Sequence, residues 1–175
     1  VFSAPLFMSS LLQLVYNMVD MIIVGQNCGS IGLAAVSIGS DLTNFLTFIA
    51  MGFSSAGQVI IAQYLGAGQK DSISRFVTTM AIFMGSVALV LSTCSLFSLE
   101  IMLKLMHTPV ESFKDTYSYA CITMSGLIFI YGYNMVSAIL RGLGDSKHPF
   151  IFISLASVLN VALDLVLIVK LDHGP

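Results

Sequence analysis

Asp20 stands in an otherwise charge-free apolar stretch near the start of the chain, and Asp164 stands in another near its end, one helical turn after Asn160. A carboxylate in hydrocarbon costs about 2.5–3.5 kcal/mol by insertion scales, so an acid kept there points to an ion, a proton or a substrate. Carboxylate and amide oxygens are the hard ligands that a small cation such as Na⁺ requires, and two carboxylates can instead take up protons. Two negative charges close together in a low dielectric raise at least one pKa and titrate as a coupled pair. Asn17, three residues before Asp20, and Asn160, four before Asp164, would each share a helix face with the neighbouring acid. The plainer alternative is an interhelical hydrogen-bond network that only fixes packing, a role that suits Asn17 best.

The elements that position these groups follow from composition. Of the 175 residues 57% are hydrophobic and only 9% charged, with a mean hydropathy of +0.93, whereas a soluble domain carries roughly 25% charge. The chain therefore reads as an all-α polytopic membrane protein. Runs without Asp, Glu, Lys or Arg extend from residue 42 up to Lys70, over 76–99 and over 116–140, each longer than the roughly 20 residues that cross the hydrocarbon core. Barrel strands would instead alternate apolar and polar residues over short segments. The net charge of −2 leaves no electrostatic footprint for a nucleic acid. Cys28, Cys94 and Cys121 lack metal-ligand spacing and read as small packing residues.

Punctuation by Gly, Pro and charge predicts five helices at about residues 2–25, 32–65, 73–98, 112–140 and 149–170. Gly66 to Ser72 supplies a stop, a polar turn and a Ser or Asp N-cap for the third span. Residues 99–111, with Glu100, Lys104, His107, Pro109 and Glu111, suit a short interfacial segment. If the spans alternate, the loops holding Lys70 with Arg75 and Arg141 with Lys147 lie on one side, and the basic-loop rule makes that side, and the N-terminus, cytoplasmic. Lys104, Lys114 and Lys170 on the other side are accompanied by Glu100, Glu111, Asp115 and Asp172. Spans one and five then run in the same direction. Asp20 lies five residues before Gly25 and Asp164 six before Lys170, so both acids reach a similar depth.

The order of motifs resembles a known family. Asn17 to Gly25 is followed by Leu33-Ala34-Ala35-Val36, by Gly52 to Gly57, and by Ile61-Ala62-Gln63-Tyr64-Leu65-Gly66-Ala67-Gly68. Leu140-Arg141-Gly142-Leu143-Gly144-Asp145-Ser146-Lys147 then leads to Asn160 and Asp164. This series resembles the N-terminal lobe of multidrug and toxic compound extrusion (MATE) transporters, within the wider MOP flippase group. The resemblance implies half of a two-lobe protein built from an internal repeat, residues 1–175 being a partial N-lobe. Such a protein exports drugs or other amphipathic, mostly cationic compounds against inward Na⁺ or H⁺ flow. It also implies a multi-pass protein of the bacterial cytoplasmic (inner) membrane, whose partners are lipids, the small organic substrate and the C-terminal lobe, with no cofactor beyond the coupling ion. Position by position, Asp20 is similar to the family's first-helix acid, and Asn160 with Asp164 to the fifth-helix pair of the cation site. Tyr119 and Asn134 match network positions of the fourth helix, and Pro5 matches a first-helix proline associated with bending. Where the family often has a further polar residue one turn after Asn134, this chain has Ser137 and Ala138.

Other signals are weaker. Gly142-x-Gly144-Asp145 fits a pattern of intramembrane aspartyl proteases, but Asp145 falls in a polar turn between Arg141 and Lys147, where the charges should pair with each other, and no enzyme is expected. Met51, Met80, Met84, Met124 and Met135, with Phe45, Phe48, Phe53, Phe83 and Phe129, would suit a greasy drug chamber, though helix packing or lipid contact explains most of them. His107, His148 and His173 fall in or beside loops. Two competing functions are a lipid or polysaccharide-precursor flippase, which would call for a basic cavity, and a non-transporting membrane scaffold.

Overall fold

The computed structural model describes residues 3–166, with side chains for 7–163, 165 and 166. It is all-helical: α1 (Ser3–Asn27), α2 (Gly29–Gly66), α3 (Lys70–Leu105), α4 (Val110–Ser125), α5 (Leu127–Gly142) and α6 (Lys147–Asp164). The fifth expected span, over 149–170, falls on α6, whose described part is apolar but shorter than a membrane crossing; its part beyond residue 166 lies outside the described residues. α1, α2 and α3 are each long and apolar enough to cross a membrane, as is the pair α4 and α5 taken together.

α2 forms the spine. It packs along α3, α4 and α5, and α3 closes the other side of α4 and α5. Their shared core holds Leu42, Leu46 and Ala50 of α2, Met84, Leu99 and Leu103 of α3, Met124 of α4 and Tyr131 of α5. The Tyr131 hydroxyl donates to the Leu46 carbonyl oxygen at 2.9 Å, satisfying the one polar atom this buried ring carries. α1 and α6 pack on each other, with further contacts from α1 to α2 and from α6 to α5.

Three boundaries differ from those the sequence predicts. The fourth span is two helices, bent by 47° at Gly126. The bend frees carbonyl groups at the end of α4, and the Ser92 hydroxyl of α3 donates to one of them, Met124 O, at 2.7 Å. Residues 99–105 continue α3 rather than forming an interfacial piece. Leu99 and Leu103 lie one turn apart in the core, and Glu100 and Lys104 pair at 2.7 Å on the outward face. A helix that is apolar on one side and charged on the other reads like an interfacial segment until its packing partner is known. α3 also begins earlier, at Lys70, so Asp71 and Ser72 lie inside its first turn rather than at the N-cap, and Gln69 makes no side-chain cap.

The turn ahead of α6 is built differently from the predicted charge cluster. Asp145 accepts hydrogen bonds from the Lys147 and His148 backbone N–H groups at 3.0 and 3.2 Å, capping the helix, and pairs with the His148 ring. Arg141 turns away and donates from Nε to Gln58 Oε1 of α2 at 3.0 Å. Gly144, at φ +88°, reverses the chain between the two helices.

Candidate cation and cargo site

On α1, Asn17, Asp20 and Val24 follow one another at helical spacing along a stripe. Asn17 is exposed, Asp20 half-buried and Val24 buried. Ile23 and Val24 pack with Val36 of α2 in a small cluster that Val19, Cys28 and Tyr119 complete. Tyr119 thus comes from α4 into the cluster that anchors α1 next to Asp20. Its ring lies over Gly39, where a Cβ would stand 2.4 Å from Cδ1, and its hydroxyl meets Ser40 Oγ at 3.1 Å. One turn along, Thr43 and Thr123 share a hydrogen bond at 3.0 Å. A polar seam therefore joins α2 to α4 beside α1. Its signal in the sequence is the pairing of Ser40 and Thr43 with Tyr119 and Thr123, but two such spacings identify no partner until the helices are docked.

α6 packs directly against α1, so the two acid-bearing helices are neighbours. On α6, Ile153 and Ser157 are buried and Asn160, at the next position of that stripe, is exposed. Asp164 closes α6, and its side chain lies outside the described residues. Asn134 is half-buried on α5, and its amide donates to Ile130 O of its own helix at 2.9 Å; no described hydrogen bond joins it to Asp20 or Asn160. Pro5 lies in α1, and its ring too lies outside the described side chains. Among the described residues no group of three His, Cys, Asp or Glu side chains could hold a metal ion. A shallow cavity of about 330 Å³, lined by Ser30, Ile31, Ala34, Pro109, Glu111 and Ser112, opens where α2 and α4 begin.

A chain of apolar helices, bundled around a polar seam and carrying acids on two neighbouring helices, has the form of an integral membrane protein. Residues 5–166 match the MatE family model, and the chain belongs to that family, the MATE transporters. Two relatives from Bacillus subtilis (strain 168) are the probable multidrug resistance protein YoeA, 35% identical over 175 residues, and the probable multidrug resistance protein YpnP, 28% identical over 162 residues. The alignments cover 99% and 93% of this chain but only 38% and 36% of those proteins. A solved outward-facing multidrug resistance MATE family transporter of the MOP superfamily superposes with a TM-score of 0.90 at 26% identity, over 99% of this chain and 38% of that one. The chain thus spans little more than a third of the length of the relatives it matches.

Proposed function

We propose that the protein carrying this chain is a cation-coupled multidrug exporter, and that α1 with α6 forms its coupling centre. The single observation that carries this reading is the direct packing of α1 on α6, which puts the helix of Asp20 beside the helix of Asn160 and Asp164. Membership of a family whose relatives are named as multidrug resistance proteins supports the cargo class. Binding of Na⁺ or H⁺ at Asp20, Asn160 and Asp164 neutralises charge held away from water and favours one arrangement of α1. Loss of the ion favours the other, and cargo that binds the two arrangements unequally is carried outward. In this reading Tyr119, packed on the α1 cluster, and Asn134 of α5 serve as polar network positions, and Pro5 marks a place where α1 can change direction.

The orientation that fits is an N-terminus on the cytoplasmic side, because Lys70, Arg75, Arg141 and Lys147 then face the cytoplasm. A flippase of anionic lipid-linked sugars fits less well. Among the described residues, Arg141 and Lys104 stand in the last turns of α5 and α3 and Lys70 opens α3, three basic groups at helix ends rather than mid-helix.

The test is efflux of a fluorescent organic cation from proteoliposomes holding the full-length protein, driven by an imposed Na⁺ or proton gradient. Asp20→Asn is expected to lower gradient-driven efflux at least tenfold while the protein still inserts and unfolds at its usual temperature. Undiminished efflux by a well-folded Asp20→Asn protein would overturn the coupling role.

A further inference from the structure

Among the buried hydroxyl side chains, those of Thr43, Ser95, Ser112, Thr116 and Ser157 each donate to a backbone carbonyl oxygen three or four residues earlier. That bond is open to any serine or threonine within a helix, and it is the usual way an apolar bundle accommodates one. Ser54 of α2 and Ser137 of α5 depart from it. Each is only 1% exposed, and neither Oγ has a hydrogen-bond partner among the described residues. A hydroxyl enclosed in this way without a partner is costly, so a native fold supplies one.

The two hydroxyls belong to one contact. α2 and α5 run parallel, since Tyr131 near the start of α5 bonds the Leu46 carbonyl oxygen and Arg141 near its end bonds Gln58. Ser54 precedes Gln58 by four residues and Ser137 precedes Arg141 by four. Each serine therefore shares a helix face with one member of the bonded Gln58–Arg141 pair, about 6 Å away along the axis. Both Oγ atoms lie in the α2–α5 interface at one height. The side chains around them are small: Ala50 stands one turn before Ser54 and Ala138 beside Ser137, both fully buried.

Two hydroxyls that face one interface without bonding each other call for a group between them that both donates and accepts. It must also fit among alanines. A water molecule meets both conditions, because it bridges buried polar groups with two to four hydrogen bonds. A small cation would call for about six oxygens, more than two serines offer.

We propose that the α2–α5 interface is a binding site for a single buried water, held by Ser54 and Ser137, that ties the two helices together one turn from the Gln58–Arg141 pair. α2 then meets α4 through direct hydroxyl pairs, Ser40 with Tyr119 and Thr43 with Thr123, and meets α5 through a bridged one. The site is enclosed by this chain's own helices and does not depend on the exporter reading.

Two measurements on the full-length protein test it. Thermal unfolding is compared for wild type, Ser54→Ala, Ser137→Ala and the double variant. Each single change dismantles the same bridge, so both are expected to lower the melting temperature by similar amounts, and the double variant to melt no lower than the less stable single. An unchanged or raised melting temperature in either single variant would overturn the site, and so would losses that add in the double variant. The second measurement is a high-resolution structure of the wild-type protein in lipid, in which a solvent peak within hydrogen-bond distance of both Oγ atoms is expected. The two hydroxyls bonded directly to each other, or either one bonded to a carbonyl of its own helix, would overturn the bridge.

Discussion

The four-helix body of α2 to α5 and the pair α1 with α6 are held by different amounts of packing. In the body, Leu99, Leu103, Met124 and Leu127 are fully enclosed, and Ser92, Thr123 and Tyr131 add hydrogen bonds to neighbouring helices. On α1, Ile23 and Val24 are buried near one end, while Phe7, Leu14, Met18 and Ile22 are each more than half exposed. α6 likewise exposes Leu155, Val158 and Leu159. A bundle whose interior is close-packed resists deformation, whereas a helix pair held along a narrow seam can shift at little cost. Within this chain, which spans little more than a third of its relatives' length, the proposed coupling acids belong to the pair that buries less of its surface.

The contrast can be broken most decisively by paired truncations, measured as thermal unfolding of the purified full-length protein. Leu99→Ala in the body is expected to cost about 2–5 kcal/mol, and Leu14→Ala on α1 to stay within about 0.5 kcal/mol. Equal losses would show that α1 is as firmly held as the body. Next in size is close helix approach. A Cβ at Gly142 would stand 2.9 Å from the Gln58 carbonyl oxygen of α2, so Gly142→Ala must push α5 off α2 and is expected to cost about 1–3 kcal/mol. Gly57→Ala meets only the tip of Met80, at 2.6 Å, and a flexible thioether moves aside, so its melting temperature should hardly change.

Smaller again is Ser92→Ala, which removes the donor to the Met124 carbonyl at the bend. A loss of about 0.6–1.7 kcal/mol is expected, the range for interhelical hydrogen bonds in membranes, with faster hydrogen exchange at residues 125–130. Unchanged exchange there would mean that Gly126 bends the span without help from α3.

The smallest effect concerns the turn before α6. The His148 ring, and then the backbone N–H groups of His148 and Lys147, hold the Asp145 carboxyl below its ordinary range. Because the folded state has the lower pKa, this contribution is present above the ordinary carboxylate value and fades as pH falls through the lowered one. His148→Ala should move the Asp145 titration upward, observable by carbon NMR of labelled aspartate, with little change in melting temperature at neutral pH.

Much of the architecture was legible because lipid imposes it. Charge-free runs of more than 20 residues must be helices that satisfy their own backbone, and Gly66 to Gly68 and Gly144 mark turns where the chain does reverse. The family membership was legible partly for the same reason, since Ile61 to Gly68 and Leu140 to Lys147 lie at these helix ends and turns. The bend at Gly126 was not, because a glycine in an apolar run fits a straight membrane helix as well as a broken one until a neighbour such as Ser92 takes up the freed carbonyl.

By itself the sequence determined that the chain is made of membrane-spanning helices and roughly where it turns, and it singled out Asp20 and Asp164 as acids within apolar segments. Only the tertiary structure decided that α1 lies on α6, that Tyr119 reaches α1 from α4, and that Arg141 pairs with Gln58 rather than Asp145. Periodicity fixes the face of each helix, but which faces meet depends on side-chain fit between segments far apart in the chain, such as Gly39 with Tyr119 or Gly142 with Ile61.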